Sequence, residues 1–389
     1  MMVTCSKKKK LKKGRKRNFV EIPQNLVKEI IKRLPVKSVA RFLLVSKSWA
    51  NLITGQDFIR SFPTRSCSSQ PRVLVSIIGR TTSCKRQYCC FFSSSSTSTT
   101  FLSRVECPHE DPENFFYHPH YANGLIRLGC GTQKIICNPS TGKPITLPRV
   151  ESIKRVSKSL FGYDPVNDAY KILCMTKNRV MKCNSPSYEY QYQVLTLGAE
   201  QSSWRKIECS IPHRYCSNAY VCIDGVVYYV GSTINRTGSD WGLMKFDLRY
   251  EKFDRLTSLS SDMARLGDDC VLINYKGKVA IAANARGNTF NVWVIDQDAD
   301  PKHGWLKKSF CTESWKSSSK LFIYGSTRTG EFVLAPRFYS DDFNVMLYNP
   351  NTDGLRKIKV DVKEGNEFKY FRRTRVMVFP EYVESIRLL

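Results

Sequence analysis

Apolar positions along this chain follow two rhythms, and the change falls near residue 70. Between residues 20 and 53 they recur at helical spacing in three short bursts. Leu26, Ile30 and Leu34 fall four apart with Val27 and Ile31 beside them. Val39, Phe42 and Leu43 repeat the pattern, and so do Trp49, Leu52 and Ile53. Pro23 suits a helix start, Pro35 a stop, Ser46 a cap and Gly55 a close. The spacing predicts three helices, and Asp57–Phe62 one further turn. A unit this small exposes much of its surface, so its apolar residues exceed what it can bury alone, and such a surplus marks a partner site.

From Arg72 onward the helical rhythm is gone, and short β-branched and aromatic runs alternate with Gly, Asn, Asp and Pro clusters. One unit recurs: an apolar strand, a polar turn and a return strand. Anchored at Asn138, Leu197, Asp247, Asp296 and Asn349, its copies are spaced by 59, 50, 49 and 53 residues. Between the copies lie tighter hairpins at Asn123-Gly124, Asp164–Asp168, Asp224-Gly225, Lys276-Gly277 and Thr329-Gly330. Asn-Gly and Asp-Gly turns favour hairpins because both residues must take positive φ. Two hairpins per repeat make a four-stranded unit, which predicts an all-β propeller. Five units run from about His118 to Val360. The leftover strands at 73–78 and 375–379 are expected to build a composite blade, since a ring must close without free edges. Six blades are expected, with seven as the alternative. Ser93–Thr100 is low-complexity and is expected to form a mobile loop.

The two parts also resemble a known family. Ile22-Pro23, Leu26/Ile30, Leu34-Pro35-Val36-Lys37-Ser38, Arg41-Phe42, Val45-Ser46-Lys47-Ser48-Trp49 and Leu52-Ile53 are similar to the F-box pattern, with Ile22 for Leu and Ser46 for Cys as mild departures. Gly162-Tyr-Asp-Pro165 and Asn138-Pro-x-Thr-Gly142 resemble the plant F-box-associated, kelch-like propeller. The reading is a multidomain chain: a basic disordered tail (1–18), a small all-α three-helix F-box (19–62), a linker (63–71) and an all-β propeller of about six four-stranded blades (72–389). The resemblance implies a substrate-recognition subunit of a Skp–cullin–F-box ubiquitin ligase. The F-box would bind a Skp-type adaptor, and through it a cullin ligase, while the propeller holds an unknown substrate protein. The implied adaptor-binding residues are Ile22, Pro23, Leu26, Ile30, Leu34, Pro35, Val36, Leu43, Val45, Trp49 and Leu52. Of these, Pro23, Pro35 and Val36, at helix ends, are expected to face outward.

Charge adds a second feature. Lysine and arginine number 61 against 34 acidic residues, for a net charge of +27. Nine of the basic residues lie between Lys7 and Arg17; without them +18 remains, spread over the chain. A run so dense repels itself and stays disordered. It reads as a nuclear import signal or a solvated tail, giving nucleus, cytoplasm or both as the expected location. No stretch reaches the ~18–20 continuous apolar residues of a membrane span, and the basic N-terminal run lacks the apolar core of a signal peptide. A soluble intracellular protein is expected, with its 15 cysteines serving as buried small residues or free thiols.

Chemistry-bearing residues are few, and no catalytic residue, cofactor or metal ligand is assigned. Cys107, His109, His118 and His120, with Cys84, Cys89 and Cys90 upstream, lack the paired spacing of zinc sites. Asp268-Asp269, Asp341-Asp342 and Asp296/Asp298/Asp300 sit beside turns, where aspartate is favoured for its own backbone hydrogen bonds. Trp204, Trp293, Trp305 and Trp315 are expected to pack between blades rather than to stack a ligand. Arg236, Trp241, Arg337, Phe338 and Tyr339 fall in or near longer loops and are the candidate substrate contacts. Two other classes are carried as alternatives: a basic nucleic-acid-binding propeller, which the isolated charge run supports only weakly, and a propeller enzyme with an unrecognised channel site.

Overall fold

The computed structural model describes residues 22–62, 72–80, 87–108, 119–129, 132–150, 155–182, 185–198, 203–235, 238–264, 270–283, 289–296, 304–311, 320–362 and 374–387. The Lys7–Arg17 run, the 63–71 linker, Cys84, His109, His118, Arg236, Asp268-Asp269, Asp298, Asp300 and Trp315 lie outside them. Among the described residues no helix is long and apolar enough to cross a membrane.

The N-terminal unit has four short helices: α1 (Gln24–Lys32), α2 (Val36–Phe42), α3 (Lys47–Thr54) and α4 (Gln56–Ser61). Pro23 and Pro35 stand just before α1 and α2, where a missing N–H costs nothing. The Ser46 hydroxyl accepts from Trp49 N and caps α3. Gly55 ends α3 in an extended conformation, with no left-handed cap, so α4 follows at once. This turn adds a fourth helix to the three read from spacing.

The rest forms six four-stranded antiparallel sheets. The first contributes β1 (Val73–Arg80), β2 (Gln87–Ser94) and β3 (Thr99–Glu106). The second is β4 (His120–Ala122), β5 (Leu125–Leu128), β6 (Ile135–Cys137) and β7 (Pro144–Thr146). The third is β8 (Arg155–Asp164), β9 (Ala169–Lys182), β10 (Ser185–Thr196) and β11 (Arg205–Ile207). The fourth is β12 (Arg214–Ile223), β13 (Val226–Asn235), β14 (Gly238–Asp247) and β15 (Lys252–Ser258), and a single turn, α5 (Ser261–Ala264), follows it. The fifth is β16 (Cys270–Tyr275), β17 (Lys278–Ala283), β18 (Thr289–Ile295) and β19 (Trp305–Cys311). The sixth is β20 (Leu321–Ser326), β21 (Phe332–Pro336), β22 (Asn344–Asn349) and β23 (Gly354–Lys359). The last strand, β24 (Val376–Phe379), returns to pair with β1, Leu74 opposite Phe379 and Ile77 opposite Val376.

The composite blade expected from the two leftover segments is therefore present, and the ring has six blades. One sequence expectation fails. Ser93 and Ser94 end β2 and are buried, Thr99 and Thr100 begin β3, and Ser95 N donates to Ser98 O at 2.9 Å. The serine run is a tight hairpin, because small hydroxylated side chains can bond to their own turn.

Strand alternation explains how the ring holds together. Val73, Val75 and Ile77 pack on Val333, Ala335 and Phe343 of the sixth blade, whereas Leu74 packs on Ile126 of the second. Phe332 and Leu334 turn the other way, to Phe290 and Val292 of the fifth blade. Period-2 side chains thus glue each sheet to both neighbours. The turns repeat a device too. The carboxamide or carboxylate oxygens of Asn138, Asp164, Asp247 and Asn349 each accept from the backbone N–H two residues on. Asn123-Gly124, Asp224-Gly225 and Lys276-Gly277 all take positive φ, as two-residue hairpins require.

Phe332 lies at a junction of rings, stacked on Tyr275 at 5.3 Å and edge-on to Phe290 at 5.2 Å and Phe310 at 5.1 Å. Phe332→Ala is expected to cost about 3–5 kcal/mol of stability, read from the denaturant midpoint. A change below about 1 kcal/mol would mean that this interface repacks freely.

Candidate functional site

Two surfaces remain after the blades have satisfied one another: the helical unit, and the propeller face turned away from it. In the helical unit, Ile31, Val36, Val39, Ile53, Phe58 and Phe62 make a closed core. Val27, Leu34, Phe42, Leu43, Trp49 and Leu52 are half-buried against it, with Trp49 stacked on Phe42 at 4.8 Å and 17°. Val36 is completely buried. Its expected outward position is corrected, because α2 begins there with its first turn pressed against the chain's C-terminal segment. Pro23 and Pro35 are exposed as expected.

What stays outside is apolar. Ile22, Leu26 and Ile30 fall four apart, and Leu26 and Ile30 are 56% and 53% exposed on α1. In the turn after α2, Leu44 is 90% and Val45 63% exposed. Leu44 was missed in the sequence. The run Phe42-Leu43-Leu44-Val45 is too apolar for one helical face, and the structure resolves it by turning Leu43 inward and Leu44 outward. A helix apolar on opposite faces has a second partner to meet.

The unit's inner side is fixed to the propeller by the C-terminal segment. Ile386 completes the helical core. Val36 N donates to Glu384 Oε2 at 2.9 Å, and Lys37 Nζ to Phe101 O at 3.1 Å. The buried Asn138 carboxamide donates to Ser385 O at 2.6 Å and Arg387 O at 2.8 Å. Tyr382 OH bonds to Ser140 Oγ at 2.6 Å, and burial holds its phenol well above the usual range. Arg387 pairs with Asp168, which also faces Arg60 at 3.4 Å. A cavity of about 500 Å³ lies among Arg60, Phe62, Tyr163, Asp168, Val383 and Ile386. Its charged groups are already paired, and Tyr163 OH donates to Asp168 Oδ1 at 2.6 Å. Burial, then that carboxylate, pushes Tyr163 up to about 12.

Other candidates take structural roles. Cys89, Cys107 and Cys137 are buried between the first two blades. Burial raises the Cys89 and Cys137 thiols and pushes neighbouring Cys90 up to about 12, so they are neutral packing residues. His120 packs on the Tyr220 ring at 4.7 Å. His213 bonds Tyr229 OH at 2.8 Å and Ile211 O at 2.6 Å, and burial lowers its pKa. Trp293 is buried, while Trp204 Nε1 donates to Pro148 O and Trp305 Nε1 to Ser258 O, each tying one blade to the preceding one. Among the candidate substrate contacts, Arg337, Phe338 and Tyr339 come together beside the start of β24, with Phe338 bridging Arg375 and Tyr339 N donating to Thr374 O. Trp241 is distant, half-buried against the fourth and fifth blades.

The sequence matches the F-box domain family over residues 19–61 and the F-box associated beta propeller domain family over residues 77–383. The chain belongs to the F-box-associated propeller family. Among F-box relatives, the Arabidopsis thaliana F-box protein At4g11590 is 47% identical over 96% of this chain and 94% of its own. A putative F-box protein of that plant, At5g15660, is 44% identical over 92% and 81%. The F-box protein DOR, also from Arabidopsis thaliana, is 33% identical over 97% and 96%.

Proposed function

We propose that this F-box protein is a substrate-recognition subunit of a Skp–cullin–F-box ubiquitin ligase. The carrying observation is the pair of opposed apolar surfaces on the F-box. One is closed by the propeller's C-terminal segment; the other leaves Ile22, Leu26, Ile30, Leu44 and Val45 in solvent. The exposed surface would take a Skp-type adaptor, and the propeller would hold a target protein. The chain then works by tethering, which raises the effective concentration of the target at the ubiquitin-transferring enzyme without chemistry of its own. The basic Lys7–Arg17 run would direct such a receptor to the nucleus.

The test is co-expression of the full chain with a Skp-type adaptor, followed by size-exclusion chromatography. A stoichiometric complex that also captures the cullin is the expected result. Separate elution at micromolar concentrations of both proteins overturns the reading.

A further inference from the structure

The segment that follows β24 touches four of the six blades on its way to the F-box. On the sixth, Arg328 N and Nε donate to the Glu381 carboxylate, and a Cβ at Gly325 would fall 2.7 Å from Pro380 Cγ. On the first, Arg72 O, just before β1, accepts from Tyr382 N at 2.9 Å. On the second, Tyr121 OH accepts from Val383 N at 3.1 Å, while Asn138 and Ser140 hold Ser385 O, Arg387 O and Tyr382 OH. On the third, Asp168 pairs with Arg387, whose guanidinium lies 5.4 Å from the Tyr170 ring centroid. These anchors are scattered over more than 250 positions of sequence. The seat for residues 380–387 exists only where ring closure has brought them together.

The same segment finishes the F-box. α2 has no cap of its own: Pro35 offers no side-chain acceptor, and the first N–H of the helix, from Val36, donates to Glu384. Ile386 is buried in one cluster with Ile31 of α1 and with Val36 and Val39 of α2. The exposed apolar surface lies on these same two elements, Leu26 and Ile30 on α1 and Leu44 and Val45 in the turn after α2. A helical unit of about 40 residues has too small a core to spare such contacts. Order on the outer surface therefore depends on a plug seated from the propeller side.

We infer that residues 380–387 are a strap that couples propeller closure to adaptor binding, so that a chain whose ring has not closed presents no ordered docking surface. This rests on the ligase-receptor reading above and names how its docking surface is controlled. The mechanism is a population effect: a surface ordered for only a fraction of the time binds more weakly by that fraction. Coupling of this kind is reciprocal, so an adaptor that fixes α1 and α2 also holds the strap in its seat. A receptor with an unfinished propeller is thereby kept out of the ligase.

Two glycines allow the strap to be disturbed from the propeller alone. A Cβ at Gly124, in the left-handed turn of the second blade, would meet Ser385 Cβ at 2.4 Å. Gly277 closes the matching turn of the fifth blade at a similar φ, +83° against +87°, and a Cβ there would meet nothing within 4 Å. Gly277→Ala thus carries the same backbone strain without the collision. The experiment measures affinity of the full chain for a Skp-type adaptor by biolayer interferometry, with hydrogen exchange on the same samples. Ile386→Asp is expected to weaken capture at least about tenfold and Gly124→Ala about fivefold, with Gly277→Ala within about twofold of wild type. Adaptor bound to the wild-type chain should slow exchange of the Tyr382 and Val383 amides. Capture by Ile386→Asp within twofold of wild type, a Gly124→Ala loss no larger than that of Gly277→Ala, or strap amides indifferent to the adaptor would each overturn the inference. If Gly124→Ala opens the ring, Ile386→Asp decides, because its side chain packs in the F-box core. Failure of the wild-type chain to capture the adaptor would remove the ligase reading and the coupling with it; capture that every variant retains would remove the coupling alone.

Discussion

Leu26→Asp together with Ile30→Asp is expected to abolish capture of a Skp-type adaptor and to leave the chain folded. Both side chains stand on the exposed stripe of α1, more than half accessible, and neither belongs to the F-box core. Burying such a residue against a partner is worth about 1.5–3 kcal/mol. A carboxylate in its place loses that gain and must itself be desolvated. Two positions together predict an affinity loss of at least about 100-fold, since ~1.4 kcal/mol is tenfold. Because both residues are already in water, the melting temperature should stay within about 2 °C of wild type. Leu34→Asp or Trp49→Ala would answer less. Leu34 is half-buried against the core and Trp49 is stacked on Phe42, so either change loosens the helices themselves. Adaptor capture by the α1 double variant within threefold of wild type would show that this stripe is not the docking surface.

The propeller was legible because its turns are chemically specified and repeat. Each Asn or Asp that anchored a repeat accepts from its own backbone or sits at a strand end, and Asn123-Gly124 and Asp224-Gly225 each close an inner hairpin. The F-box was legible through helical spacing, but its faces were not. Spacing says that Val36 and Leu44 lie near helix ends; only the packing decides that Val36 goes in and Leu44 out. For Val36 the partners are Glu384 and Ile386, nearly 350 residues away in sequence. A local pattern carries no trace of such a contact. The Arg337–Tyr339 loop illustrates the same limit from the other side. Its aromatic and basic residues suggested a contact surface, but its nearness to Arg375 and Lys320 depends on how the ring closes.

The C-terminal segment makes the largest stability prediction. Ile386→Asp is expected to release the F-box from the propeller without opening the ring. Ring closure depends on β24, which ends at Phe379 and pairs with β1 upstream of the substitution. The F-box core, in contrast, includes Ile386 beside Ile31, Val36, Val39, Phe58 and Phe62, with Glu384 holding the first turn of α2. Removing the apolar side chain costs about 2–5 kcal/mol, as for Ile→Ala at a buried site. The new carboxylate adds a desolvation penalty where it meets the apolar side chains of that core. A four-helix unit of about 40 residues has little stability in reserve. Hydrogen exchange should therefore show faster exchange of α2, α3 and α4 amides by at least about 100-fold, which corresponds to some 2.7 kcal/mol of local stability. The β1–β24 ladder should keep its protection. Ile386→Val, which retains most of the apolar contact, should raise the F-box exchange rates by no more than about tenfold. Unchanged protection of the F-box amides in Ile386→Asp would show that the helical unit is stable without the C-terminal segment. Loss of protection in β1 and β24 as well would show that ring closure and F-box docking form one cooperative unit.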